Sequence, residues 1–203
     1  TKIIELKDTK VAIHGQSYSK PALLDNIAVT YPVAVSDCFN IGMLHTSLNG
    51  REGHDNYAPC TLDHLNLKGY DYWALGHIHK REIVQNDPPI VFPGNLQGRH
   101  FRETGPKGCI LVQYEPGSKL NLHEIQTDVA RWINLRLDVS EAISLEDVLD
   151  RFTHQIEIEI HGISDRIFLI RLHLDSLCDA HRILAGDTGK LLNEIRNTAL
   201  NHF

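Results

Sequence analysis

Apolar residues follow two different rhythms along this chain, and the change comes near residue 128. In the first part they gather into short, mainly apolar runs at residues 11–13, 39–44, 70–75 and 89–92. Runs of that length, closed by glycine or a polar cluster, suit strands covered on both faces. They predict strands over 11–14, 39–45 and 70–75. A further pair, 81–84 and 89–92, flanks the polar turn at 85–88, and a hairpin spans 109–114 and 120–125 around Pro116-Gly117-Ser118. Pro21, with Leu23, Leu24 and Ile27 behind it, predicts a helix over 21–28, and Pro59 with Leu62, Leu65 and Leu67 predicts one over 59–67.

Beyond residue 128 the pattern alternates. Residues 132–139 and 167–174 change from apolar to polar at period two, as an amphipathic strand does. Between them Ser144 and the early acids Glu146 and Asp147 predict a helix start, continued by the stripe Val148, Leu149, Phe152 and Ile156. A last helix is expected over 179–200, interrupted at 186–189. Gly186-Asp187-Thr188-Gly189-Lys190 lacks the glycine spacing of a phosphate loop and has Leu191 where Ser or Thr belongs, so it is excluded as one. The expectation is a mixed α/β (α+β) protein of two domains, 1–127 and 128–203, the second a small α+β module.

Composition changes this picture little. Of 203 residues, 42% are hydrophobic and 23% charged, as in ordinary globular proteins, and no stretch approaches a membrane span. The four cysteines lie far apart with no CxxC pair, which suits a reduced, cytoplasmic protein. The net charge of -6 argues against a chain that coats nucleic acid. The acidic surplus is uneven: residues 1–127 hold 12 Lys/Arg against 13 Asp/Glu, and 128–203 hold 8 against 13.

The candidate chemistry lies at strand ends. His45 closes one apolar run, and Gly76-His77-Ile78-His79 follows another. If the strand persists through His79, residues i and i+2 face the same way and two imidazoles converge. With 13 histidines in the chain, a solvated pair is the competing reading. Three imidazoles suit a divalent metal, either one zinc with an open position or part of a two-metal site completed by carboxylates. His14 reads as a strand-end structural histidine, His64 as a packing one, and His54 in a polar loop stays open. The loop at 96–108 is rich in glycine and carries Arg99, Arg102 and Lys107 against one Glu, so it is either a phosphate-binding loop or a solvated one.

Leu44-His45-Thr46-Ser47-Leu48, Tyr57-Ala58-Pro59-Cys60, the stretch from Gly69 to His79, and Phe92-Pro93-Gly94-Asn95 followed by Lys107-Gly108 resemble the later motifs of calcineurin-like metallophosphoesterases, of the SbcD/YhaO DNA-repair exonuclease type. The likeness covers residues 10–127, and 128–203 resemble the small capping, DNA-binding domain of such enzymes. The resemblance implies a β-sandwich flanked by helices and two Mn²⁺ ions, with His45 and His77 on one and His79 on the other. It also implies hydrolysis of DNA phosphodiesters, a coiled-coil ATPase partner of the SbcC type, and a homodimer. Asn95, Arg99, Arg102 and Lys107 are the expected substrate contacts, and His100, beside Arg99, is the expected catalytic histidine. The DxH, GDxxD and GNHD motifs that supply carboxylates in such enzymes are absent. The chain is therefore expected to be the C-terminal portion of the enzyme, inactive by itself. A catalytically incomplete module that binds DNA or a partner is the alternative.

Overall fold

The structure, a computed structural model, describes residues 2–6, 10–18, 23–49 and 56–202. His54 lies outside them. The chain divides into two compact units, one of Thr1–Gln97 with Lys107–Thr127 and one of Gly98–Pro106 with Asp128–Phe203.

The first unit is built on a six-stranded sheet ordered β1-β2-β3-β4-β6-β5. Its strands are β1 (Lys2–Leu6), β2 (Val11–Gly15), β3 (Phe39–His45), β4 (Tyr72–Gly76), β5 (Glu82–Asn86) and β6 (Pro89–Phe92). β2, β3, β4 and β6 run parallel, with β1 and β5 antiparallel at the two edges. A parallel sheet is covered on both faces, which is why its strands read as mainly apolar runs. Alternation sorts the side chains between two cores. Trp73, Leu75, Ile90 and Phe92 face a core shared with Tyr31, Leu65 and Tyr70. Tyr72, Ala74, Val91, Phe39 and Ile41 face the other, which is closed by Ile110, Val112, Leu120 and Leu122. Those four residues come from or adjoin the antiparallel hairpin β7 (Gly108–Gln113) and β8 (Asn121–Gln126).

The helices of this unit are shorter than the sequence pattern predicts. Leu23 and Ile27 do pack on the core, but the regular turn is a 3₁₀ segment at Ile27–Thr30. The Asn26 side chain accepts from the Ala28 backbone N–H and meets His64 Nδ1, so a local amide bond replaces the helix start. Helix α1 covers only Leu62–Asn66. Thr61 caps it, and His64 Nδ1 accepts from the Thr61 N–H at 3.1 Å, so His64 is the return half of a capping box. His14 is fully buried, stacked on Tyr70, with Nε2 2.8 Å from Asn40 Oδ1. The structural reading of that histidine holds.

The second unit is a β-α-β-α-α arrangement. β9 (Ala130–Asp138) and β10 (Ile167–Asp175) pair in parallel, with α2 (Leu145–Ile160) between them in sequence and α3 (His181–Gly186) and α4 (Thr188–His202) after them. Ile133, Leu135 and Leu137 alternate onto one core with Val148, Phe152 and Ile156 of α2. The break at 186–189 is real: Asp187 Oδ1 accepts from the Lys190 N–H at 2.8 Å and restarts the helix.

Ser144 and Asp147 form the capping box of α2. Ser144→Ala should lower stability by about 1 kcal/mol, read from chemical unfolding. Backbone and hydroxyl donors hold the Asp147 carboxyl below its ordinary value. Its contribution is therefore present above the unfolded carboxylate pKa and lost as pH falls through the lower folded one.

Candidate metal centre

Neighbouring parallel strands end together, and their loops open on the C-terminal edge of the sheet, where α/β proteins place ligands. β3 ends in His45, paired in register with Gly76 at the end of β4. Gly76 has a steric reason to be glycine. A Cβ there would lie 3.0 Å from His45 Nδ1, so its absence leaves room for the imidazole. The strand does not persist through His79, however. It stops at Gly76, and His77 turns to φ +104, a region that side chains rarely adopt. The turn brings His77 Nδ1 to 3.2 Å from His45 Nε2. It is this backbone reversal, and not period-two alternation, that makes two imidazoles converge.

The surrounding loops hold that geometry. Thr46 and Ser47 are fully buried polar residues after β3. Thr46 Oγ1 donates to Ala58 O at 2.7 Å, and Ser47 exchanges bonds with Tyr57 through its N–H and its hydroxyl oxygen. Tyr57 is thereby fixed beside both histidines, stacked on His77 at 5.7 Å and edge-on to His45 at 5.0 Å. Tyr18, in the loop after β2, packs against Tyr57 at 5.2 Å and lies 6.1 Å from His45. Reading the histidines alone misses both tyrosines. Tyr57 stands in the Tyr57-Ala58-Pro59-Cys60 motif, and Tyr18 has no local signal beyond following a strand end.

Partial burial of its ring, then the charges of His77 and His79, hold the His45 pKa below the ordinary imidazole value. That shift favours the neutral imidazole, the form that ligates metal. The spacing also fits. Two nitrogens at about 2.1 Å from one ion stand about 3.0 Å apart at a right angle and about 3.4 Å apart at the tetrahedral angle, and the observed 3.2 Å lies between. His79 is exposed and close enough to act electrostatically on His45. Among the described residues, no group of three or more His, Cys, Asp or Glu is gathered tightly enough to hold a metal.

The other candidates fall in two places. Asn95 follows the Gly94 turn (φ +78), where a Cβ would come within 2.9 Å of His79 O and 3.0 Å of Arg81 N. Only glycine lets the chain pass so close to the histidine loop. Asn95 N–H donates to His79 O and Asn95 O accepts from Gly108 N–H, while both amide heteroatoms of its side chain are turned inward, buried and without a hydrogen-bond partner. Lys107 is buried beside that turn, its carbonyl accepting from Thr127 N–H.

Arg99, His100 and Arg102 belong to the second unit. Their loop is clamped to β9: Trp132 Nε1 donates to Gly98 O, Asn134 Nδ2 donates to Phe101 O, and Phe101 packs edge-on against Trp132 at 4.7 Å. The Arg171 guanidinium lies 4.1 Å over the Phe101 ring. Glu103, the single acid of the loop, is buried and organises it, accepting from the Arg99 N–H at 2.8 Å with His100 Nε2 at 3.8 Å. Arg99 and Arg102 stay exposed.

Residues 132–202 match the family model described as the middle domain of the metallophosphoesterase YhaO. The chain is 46% identical over 132 residues to a protein of Bacillus subtilis strain 168 named an uncharacterized metallophosphoesterase YhaO; the match covers 64% of this chain and 32% of that protein. It is 28% identical over 137 residues to the DNA double-strand break repair protein Mre11 of Methanocaldococcus jannaschii, covering 61% of this chain and 35% of that one. The chain spans about a third of the length of these two relatives. Among the described residues, no helix is long and apolar enough to cross a membrane.

Proposed function

Taking the chain as a relative, over part of its length, of nuclease-like metallophosphoesterases, we propose that it forms the histidine-bearing portion of a divalent-metal-dependent DNA exonuclease. The observation that carries this reading is the meeting of His45 Nε2 and His77 Nδ1 at 3.2 Å where β3 and β4 end side by side. In this reading His45 and His77 hold one Mn²⁺ and His79 a second. When bound, such ions polarise a phosphodiester and supply a nucleophile at neutral pH.

The chain's own residues have separate tasks. His45, whose lowered pKa favours the neutral ring, offers a lone pair for ligation. Tyr57 walls one side of the pair and keeps both rings oriented. Arg99 and Arg102, exposed on their clamped loop in the second unit, are the cations offered to DNA phosphates, whereas Lys107, expected beside them, is buried in the first unit. His100 touches the substrate beside them. Asn95 serves through its backbone, holding His79 in place from the Gly94 turn. The carboxylates that a two-metal site needs come from elsewhere in the intact enzyme. DNA as substrate is supported by the similarity to the DNA double-strand break repair protein Mre11. The SbcC-like ATPase partner, the homodimer and a cytoplasmic location belong to the same proposal.

The absence of a complete ligand cluster among the described residues favours one other reading, a non-catalytic module that binds DNA or a partner. An assay of the intact enzyme on end-labelled duplex DNA separates the two. Mn²⁺-dependent release of nucleotides, abolished by chelator and by His77→Ala, is expected. Full activity in His77→Ala would sink the assignment, and DNA binding indifferent to metal and chelator, without cleavage, would favour the module.

A further inference from the structure

Three consecutive parallel strands each deliver an aromatic ring to one edge of the sheet. The loop after β2 brings Tyr18, β3 ends in His45, and β4 leads into His77. Tyr57 ties the three together, stacked on His77, edge-on to His45 and edge-on to Tyr18. Tyr57 itself is buried, so its ring is committed to that role. Tyr18 is different. Its ring is held at a defined angle against Tyr57 (5.2 Å, 75°) and lies 6.1 Å from His45, yet 46% of its surface stays open to solvent.

A scattered exposed tyrosine on a protein surface needs no explanation. This one is neither scattered nor loosely placed. It is the outermost member of a ladder that runs from the histidine pair to solvent, and the ladder's inner members fix its position. A rigid, amphipathic ring of this kind offers a π-face at low entropic cost. Every nucleobase presents a flat π-face of its own, and stacking on it tolerates any sequence.

We propose that Tyr18 is a substrate-binding residue, the platform on which the base next to the cleaved phosphate stacks, and that the substrate is therefore a nucleotide end with an unpaired base. The inference rests on the DNA-phosphodiesterase reading of the histidine pair and adds the residue that holds the base. A stacked base requires that the last base pair be open or absent, so single-stranded or frayed ends are preferred over blunt duplex. A phosphodiester without an aromatic group gains nothing from the platform.

The test is binding of the intact enzyme to a fluorescently labelled single-stranded oligonucleotide, followed by anisotropy in the presence of chelator, so that metal plays no part. A second oligonucleotide of equal length carries abasic terminal residues. Tyr18→Leu should weaken binding of the normal oligonucleotide roughly 5- to 150-fold, the range of a lost base–aromatic stack. Tyr18→Phe should restore it, because the ring and not the hydroxyl does the stacking. The abasic oligonucleotide should bind wild type and Tyr18→Leu alike. Unchanged affinity in Tyr18→Leu, an equal loss on the abasic strand, failure of Tyr18→Phe to restore binding, or no binding by wild type would each overturn the proposal. A separate Mn²⁺ titration of His77→Ala decides the metal reading. Retained metal affinity there, with the Tyr18 effect intact, would reject the metal site and leave the stacking platform standing.

Discussion

Trp73→Ala is expected to lower stability by about 3–5 kcal/mol, measured by urea unfolding. Trp73 is fully buried in β4, stacked on Tyr70 at 4.8 Å and packed against Tyr31 at 5.5 Å. The indole also lies across its register partner on β3, Gly42. A Cβ on Gly42 would fall 2.3 Å from the ring, closer than any real contact. Gly42→Ala should therefore cost about 1–3 kcal/mol or more through overpacking. The two effects have one cause, so they should not add. In a Trp73→Leu background the added methyl should cost far less, with a coupling of at least about 1 kcal/mol. Additive losses would show that Gly42 is glycine for some other reason.

The second large effect separates backbone from chemistry at His77. A non-glycine residue at φ +104 stores strain on the order of 1–3 kcal/mol, a cost tolerated where function requires the geometry. Leu48 and Ala58, in the paired loops that hold Tyr57, also have positive φ. His77→Gly and His77→Ala both delete the imidazole, so both should lose metal-dependent hydrolysis. Only glycine relieves the strain, so His77→Gly should be more stable than His77→Ala by about 1 kcal/mol. Equal stabilities would mean that the positive φ carries no strain. Activity in either variant would mean that His77 is not a ligand.

Much of the sheet was legible because parallel strands covered by other parts of the chain leave mainly apolar runs at Phe39–His45 and Tyr72–Gly76. The β9-α2-β10 pattern was legible because Ile133, Leu135 and Leu137 keep strict alternation over one core. The failures trace to polar side chains that act on the local backbone. Asn26 bonds Ala28 and forestalls the helix that Leu23, Leu24 and Ile27 suggest. Thr61 sets the start of α1 later than Pro59 would. At the site, His45 and His77 do meet, but through a backbone turn and not through strand alternation, and an apolar pattern cannot report a positive φ at His77. The charges of the 96–108 loop were visible, but not what carries it. Trp132, Asn134 and Arg171, each about 30 residues or more away, anchor the loop in the second unit. Glu103, a lone acid in a basic stretch, proves to be its buried organiser.

The central claim is that the strand-end pair His45 and His77 binds a divalent ion, and calorimetric titration of the intact enzyme with Mn²⁺ tests it most directly. Wild type should bind with measurable heat. His45→Ala should weaken that binding at least about tenfold, by analogy with the 10–100-fold cost of losing even an outer-shell partner. Tyr57→Phe, which keeps the ring packed on both histidines, should leave it unchanged. Unaltered Mn²⁺ affinity in His45→Ala would contradict the account, because the 3.2 Å meeting of the two imidazoles would then be a hydrogen bond and nothing more.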